Sequence, residues 1–113
     1  TGTVKSTQTT YLQPYFSEST AGKLNDMLRS DVVNYYGDGK FSGLKMCGKT
    51  GTAEVSTDDN GLAPHAWFVG YSQREDLPLA VVVVVENGGG GGSVAIPVAS
   101  KTMKKAASIY AEK

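Results

Sequence analysis

Three strand-like segments, joined by connections too short to hold a helix, limit how this chain can fold. They are residues 44–55, 65–72 and 79–86, separated by a polar turn at 56–62 and a charged connection at 72–78. Parallel neighbours need a crossover of about a dozen residues, whereas antiparallel neighbours need only a hairpin. The spacing therefore predicts a three-stranded antiparallel meander.

The third segment carries five consecutive valines at residues 81–85. An apolar run without alternation is typical of a strand that is buried on both faces. Each buried valine contributes roughly 1.5–3 kcal/mol, so we expect this strand to dominate the local core. In the second segment we expect Trp67 and Phe68 to be core side chains.

Residues 17–33 and 95–112 predict two helices, at least the second of which packs on the sheet. Ser17 or Ser19 can cap the first helix, and Pro97 falls in the first turn of the second, where a missing N–H is tolerated. Apolar positions recur at helical spacing in both. They are Ala21, Leu24, Leu28 and Val32 in the first, and Val98, Thr102, Ala106 and Ile109, flanked by Ala99, Met103 and Tyr110, in the second.

The expected fold class is therefore α+β, with an antiparallel sheet, a C-terminal helix and a preceding helix packed on it. We expect the glycine tract at 88–92 to be a flexible linker between the last strand and the last helix.

Length and composition exclude several classes of protein. The chain has 113 residues, enough for one domain at most, and its 11 basic and 11 acidic residues balance, which gives no indication of a nucleic-acid partner. The single Cys47 excludes an internal disulfide framework, and we expect a buried thiol. No initiating Met and no signal-like segment is present, so we expect the chain to be part of a longer protein. We expect neither a metal site nor a cofactor.

The segment from Gly48 to Glu54 has the residues that a strand needs to bind a carboxylate-bearing substrate. Successive side chains alternate, so Lys49 and Gly51 share one face, and Thr50 and Thr52 share the other. Lys49 supplies a compact cation, and the two threonines supply hydroxyl donors for a carboxylate. Gly51 allows another backbone to approach closely, and the Thr52 N–H can point at a developing oxyanion.

The wider context of this segment resembles the C-terminal part of the transpeptidase domain of class B penicillin-binding proteins. The Lys49-Thr50-Gly51 motif, which such proteins share with class A β-lactamases, is followed by Pro-His-Ala-Trp-Phe-Val-Gly-Tyr at 64–71. The apolar run, Glu86-Asn87, the glycine tract and Ala-Ile-Pro-Val at 95–98 come next. The resemblance is dense from about residue 43 to residue 103 and implies a partial serine β-lactamase/transpeptidase-like fold.

The resemblance implies a peptidoglycan D,D-transpeptidase, in which a serine attacks the D-Ala-D-Ala end of a stem peptide and an amine from a second stem peptide resolves the acyl-enzyme. β-Lactams acylate the same serine. Lys49 and Thr52 are then the catalytic residues of this chain, and Lys49, Thr50, Gly51 and Thr52 bind the substrate. The family works outside the cytoplasmic membrane on an anchor that this chain does not contain.

The nucleophile of that family lies in a Ser-x-x-Lys motif at the start of a helix, and it is not evident here. Ser42-Gly43-Leu44-Lys45 matches the letters but enters a strand, where residues three apart point to opposite faces. The Ser-x-Asn motif is absent, and Ser56-Thr57-Asp58 is its nearest echo. We therefore expect the C-terminal portion of a transpeptidase domain, which needs the upstream half of the same domain and is inactive alone.

Two other hypotheses remain open at this stage. The chain can belong to a β-lactamase or a β-lactam sensor, or it can be a non-catalytic interaction module with this fold. His65 can shape the site or be structural. The valine-rich third strand, without additional strands beside it, presents an edge through which two chains can associate.

Overall fold

The computed structural model describes residues 2–3, 8, 10–55 and 61–112. Two helices, α1 (Glu18–Asp31) and α2 (Ile96–Ala111), flank the strands β1 (Met46–Ala53), β2 (His65–Ser72) and β3 (Ala80–Val85) in the chain. The strands form one antiparallel sheet in the order β1-β2-β3. The predicted α+β meander is confirmed, while residues 56–60 of the predicted turn lie outside the described residues.

The register divides the sheet into two unlike faces. Thr50 lies opposite Phe68, and Phe68 lies opposite Val83, so these three side chains share the face that packs on α2. Gly51 lies opposite Trp67, and Trp67 lies opposite Val84, on the other face. One face therefore packs on the core, and the other is exposed at Trp67 and Val84; this second face is called the outward face below.

Phe68 lies at the centre of the core. Its ring stacks on Phe41 with centroids 5.6 Å apart. A Cβ at Gly48 would come within 2.4 Å of the Phe68 ring, and one at Gly70 within 2.8 Å. The two glycines thus make room for the ring between neighbouring strands. Around it the core collects other buried side chains: Val32, Leu44, Met46, Ala66, Leu77, Val83, Ala95, Ile96, Ala99 and Met103.

The prediction that the valine run is buried on both faces is wrong. Val83 is buried, but Val82 is 66% exposed and Val84 43% exposed. The reason is that, at β3, the described chain covers only the Phe68 face of the sheet, so alternate valines point outward. The other face is covered by α1 at its Cys47–Tyr71 end. Trp67, also expected in the core, lies on this outward face and is 37% exposed, whereas Phe68 is buried as predicted.

Helix α1 is held on the sheet by polar contacts more than by apolar ones. The Ser17 hydroxyl accepts the Thr20 N–H at 3.2 Å, which confirms the predicted cap. No residue of α1 is buried, and Leu24 of the predicted stripe is 41% exposed. The chain continues as one π-helical turn, Val32–Tyr36, which ends at Gly37 with a φ of +96° and is followed by a 3₁₀ turn, Asp38–Phe41.

Helix α2 packs on the sheet as predicted, but with a different face. Its buried residues are Ile96, Ala99, Ser100 and Met103, while Val98 is 42% and Ile109 45% exposed. The chain enters α2 through a π-helical turn, Gly91–Ala95, that lies against the sheet, and this contact sets the rotation of the helix. In the described part of the chain, neither helix is long and apolar enough to span a membrane.

Candidate active-site strand

The outer edge of β1 carries the backbone groups that a substrate would meet. The Thr50 N–H points away from β2 and donates to the Tyr36 hydroxyl oxygen at 3.3 Å. Backbone groups of alternate residues in an antiparallel strand point the same way, so the N–H groups of Gly48 and Thr52 also face this edge. The Thr52 N–H, which the sequence predicts to be an oxyanion donor, therefore lies at this outer edge.

Lys49 and Gly51 lie on the outward face of the sheet, as the alternation predicts. They are opposite Val69 and Trp67 of β2. Lys49 is exposed, and its Nζ donates to the Thr50 carbonyl oxygen at 3.1 Å, which keeps the ammonium beside the edge. A Cβ at Gly51 would lie 3.2 Å from the Trp67 Cβ, so glycine leaves this side of the strand open.

Thr50 and Thr52 lie on the opposite face, near its rim. The Thr50 hydroxyl donates to the Tyr36 oxygen at 3.2 Å, and the Thr52 Oγ1 accepts the Gly91 N–H at 3.4 Å. The second bond is long, so it leaves much of the acceptor and all of the donor capacity of Thr52 for another partner.

Gly91 brings the backbone of the glycine tract directly onto β1 and β2. A Cβ at this position would lie 2.5 Å from the Gly51 carbonyl oxygen and 2.7 Å from that of Trp67. Gly91 is also buried, so the prediction of a flexible linker is wrong at this residue. The chain's own backbone thus approaches Gly51 on the threonine face, while the approach of a substrate backbone on the Lys49 face stays a prediction.

Tyr36 is the residue of this strand's surroundings that the sequence did not indicate. It follows the predicted helix at 17–33 and lies 14 positions from Thr50 in the sequence, and two adjacent tyrosines outside a predicted element carry no pattern. Burial raises the pKa of Tyr36, but its hydrogen bonds with Thr50 and the nearby Lys49 ammonium outweigh burial and hold the pKa below its ordinary value.

Arg29 fastens the same edge one step further along. Its guanidinium binds Asp38 through two bonds of 2.6 and 3.0 Å and donates to the Met46 carbonyl oxygen at 2.8 Å. The hydrogen bonds from Arg29 hold the pKa of Asp38 below its ordinary value. Arg29 therefore ties the end of α1, the following turn and the start of β1 together.

The other candidates from the sequence lie away from this edge or are structural. Ser42 follows the 3₁₀ turn, and Lys45 has a φ of +46°, so no helix brings this Ser-x-x-Lys match together. The His65 Nδ1 accepts the Asn87 N–H at 2.9 Å, which fastens β2 to the end of β3. The Ser56-Thr57-Asp58 echo lies outside the described residues.

Cys47 is buried, as expected, in a polar contact between α1 and the sheet. The Tyr71 hydroxyl donates to the Asn25 Oδ1 at 2.6 Å, and the Cys47 Sγ lies 3.7 Å from the same oxygen. Burial raises the pKa of the Cys47 thiol, and burial with the neighbouring thiol raises the pKa of Tyr71 to about 12. Both groups are therefore protonated at neutral pH and serve the packing of α1.

Comparison with known proteins agrees with this geometry. The family model of the penicillin binding protein transpeptidase domain matches residues 3–104, so the chain belongs to this family. Over 65 residues it is 32% identical to the peptidoglycan D,D-transpeptidase PbpA of Mycolicibacterium smegmatis and, equally, to that of Mycobacterium tuberculosis H37Rv. The matched segment is 58% of this chain and 13% of each relative.

Solved structures show the same fold. The D,D-transpeptidase domain of a peptidoglycan glycosyltransferase from Eggerthella lenta superposes with a TM-score of 0.74 at 32% identity, covering 94% of this chain and 24% of that one. Penicillin-binding protein A from M. tuberculosis, as its penicillin G acyl-enzyme complex, gives 0.63 at 31% identity, covering 88% and 23%. The chain thus spans about a quarter of these structures.

Proposed function

We propose that this chain is the C-terminal portion of a penicillin-binding D,D-transpeptidase domain and supplies the strand that binds the substrate carboxylate and stabilises the oxyanion. The observation that carries the proposal is the outer edge of β1. There an exposed Lys49 ammonium, two threonine hydroxyls and an outward-facing Thr52 N–H lie within one short segment. Family membership supports the assignment.

In the complete protein, a serine from the upstream half of the domain attacks the D-Ala-D-Ala end of a peptidoglycan stem peptide. Its hydroxyl oxygen bonds to the carbonyl carbon, terminal D-Ala leaves as the amine, and the acyl group is passed to an amine of a second stem peptide. Lys49 attracts the substrate carboxylate and lies near the nucleophile. When the substrate binds, the Thr50 hydroxyl turns from the Tyr36 oxygen to the carboxylate, so that Thr50 and Thr52 both donate hydrogen bonds to it. The Thr52 N–H donates to the developing oxyanion.

This function places the complete protein on the outer face of the bacterial cytoplasmic membrane, where its stem-peptide substrates are. β-Lactams, which mimic the stem-peptide terminus, are its other partners. Among the described residues, the only Ser-x-x-Lys match, at Ser42, lies outside any α-helix. We therefore expect no covalent adduct when the 113-residue chain is incubated with penicillin, and intact-mass measurement checks this. A stable adduct on Ser42 would contradict the division of roles.

The experiment that tests the proposal replaces Lys49 by Ala in the full-length protein. Acylation by penicillin should fall by about 10²–10³-fold, the effect of losing one electrostatic donor at an oxyanion site. Unfolding free energy should change by less than about 0.5 kcal/mol, since Lys49 is exposed and the ladder bonds are backbone bonds. Lys49→Arg should restore the rate only in part, because a planar guanidinium does not replace a compact ammonium.

Lys101→Ala is the matched control, because Lys101 is likewise an exposed lysine but belongs to α2 and not to β1. It should leave acylation unchanged. A folded Lys49→Ala protein that is acylated at the wild-type rate would exclude the role proposed for β1. Turnover of penicillin instead of a lasting adduct in the full-length protein would identify a β-lactamase.

A further inference from the structure

Among the described residues, the Tyr36 hydroxyl keeps a free donor at the point where the proposed carboxylate site begins. Its oxygen accepts from the Thr50 N–H at 3.3 Å and from the Thr50 hydroxyl at 3.2 Å. A phenol oxygen that accepts twice still carries its own O–H proton. That proton has no part in the two bonds and is available to a third group.

The fold holds this hydroxyl in place. The Tyr36 ring packs edge-on against Phe68, with centroids 6.4 Å apart and planes at 80°, so its base is fixed to the core while its oxygen reaches the rim. Gly37, with its φ of +96°, donates its N–H to the Val32 carbonyl at 2.9 Å and closes the turn behind the ring. Such preorganisation lowers the entropy lost when a ligand binds.

The surroundings favour an anion at this point. The Lys49 ammonium lies beside the Thr50 carbonyl, and its charge contributes to the lowered pKa of Tyr36. A more acidic phenol is a stronger donor to a carboxylate. Arg29, the cation further along the edge, is already paired with Asp38, so the Thr50–Thr52 end beside Lys49 is the more favourable place for an anion.

We propose that the Tyr36 hydroxyl is a third donor, beside Thr50 and Thr52, for the carboxylate of the stem peptide or β-lactam. The inference rests on the proposed function, because it needs the β1 edge to be the carboxylate site. It adds a residue from the π-helical turn after α1 to a site otherwise built from one strand. A substrate lacking the carboxylate charge gains nothing from this donor.

Tyr36→Phe in the full-length protein tests the inference, because it removes the oxygen and keeps the ring on Phe68. The probes are a penicillin and its methyl ester, which carries the same reacting ring without the charge. Acylation efficiency with the acid should fall by about 10- to 100-fold, the effect of one lost hydrogen bond to a charged group. The ester should change by less than about twofold.

Tyr35→Phe is the matched control, since Tyr35 is the neighbouring tyrosine and is 80% exposed. It should change neither rate. Equal losses for acid and ester would show that Tyr36 only supports the fold, and no loss would show that it has no role; either result overturns the inference. Lys49→Ala is measured in parallel, and if it too leaves the acid unaffected, the proposed function itself fails.

A measurement on the wild-type protein keeps the test independent of how well the variant folds. With carbon-13 at the Cζ of tyrosine, the Tyr36 resonance should shift when the acid binds and stay in place with the ester. In this measurement Tyr36→Phe is used only to assign the Tyr36 resonance, which is missing from the spectrum of the variant. Tyr36→Leu can be used for the same assignment. An unshifted Tyr36 resonance in the presence of saturating acid would overturn the inference.

Discussion

The two edges of the sheet are treated differently by the chain. At the outer edge of β1, Arg29 binds the Met46 carbonyl and Tyr36 binds the Thr50 N–H. At the outer edge of β3, no strand of the described residues pairs with the backbone of Val82 and Val84. One edge is fastened by side chains up to a defined point, and the other is left with unpaired backbone groups.

The difference indicates that open backbone has two uses in this fold. On β1 the side chains occupy the Met46–Thr50 part and leave a short stretch at Thr52, which suits a ligand of limited length. On β3 the open groups form a continuous apolar strand, which suits a further strand. In the complete domain we expect strands of the upstream half to occupy this second edge.

Among the substitutions that remove contacts at the β1 edge, Arg29→Met should lower the free energy of unfolding most. It removes two bonds to Asp38 and one to the Met46 carbonyl, while the methionine keeps part of the apolar stem. Losing hydrogen bonds to charged groups typically costs about 1.5–3 kcal/mol, and we expect a destabilisation of about 2 kcal/mol by urea unfolding of the chain.

Arg74→Met is the control, because Arg74 makes the same kind of pair with Asp76 and also binds a carbonyl, that of Gly43. Its side chain is 38% exposed and that of Asp76 70%, against 24% for Arg29. The loss should be clearly smaller, since exposed pairs contribute little. Equal losses would mean that the β1 edge is not specially fastened.

Val82→Lys should reduce pairing at the open β3 edge. We expect the wild-type chain to associate at high concentration through this strand, and a lysine there disfavours edge-to-edge pairing. The association constant should fall by about tenfold or more, equivalent to about 1.4 kcal/mol, as measured by light scattering across a dilution series. Val98→Lys, at an exposed valine on α2, should leave association unchanged. A wild-type chain that stays monomeric throughout would refute the prediction.

Acid should weaken the fastening of the β1 edge by a smaller amount. Because the pKa of Asp38 is lowered from 3.8 in the folded chain, its pair with Arg29 stabilises the fold above pH 3.8 and loses this contribution as pH falls through the lowered value. The contribution should be under about 1 kcal/mol, since the carboxylate is half exposed. Asp38→Asn should therefore be less stable than wild type at pH 6 and approach it near pH 2. A difference that stays constant with pH would contradict this assignment.

The sequence predicted the elements of the fold better than their faces. Short connections identified the antiparallel meander, and Ser17 and Pro97 marked the helix starts. The alternation of side chains along a strand predicted that Lys49 and Gly51 lie on one face of β1, and Thr50 and Thr52 on the other face. In contrast, the valine run gave no alternation from which its outward residues could be recognised, because valine satisfies strand propensity on either face. The buried face of α2 was also mispredicted, because Ala99 and Met103 are as compatible with the rim as with the core.

By itself, the sequence determined which side chains of the candidate strand share a face. The side chains of lysine, threonine and glycine at adjacent positions of one strand point in fixed directions relative to one another. Only the tertiary structure decided what surrounds that strand. Tyr36 and Arg29 reach β1 across turns whose path depends on long-range packing. Gly91 lies against Gly51, where a Cβ at position 91 would clash with the Gly51 carbonyl oxygen. Local spacing fixes directions within one element, whereas contacts between elements depend on how the whole core closes.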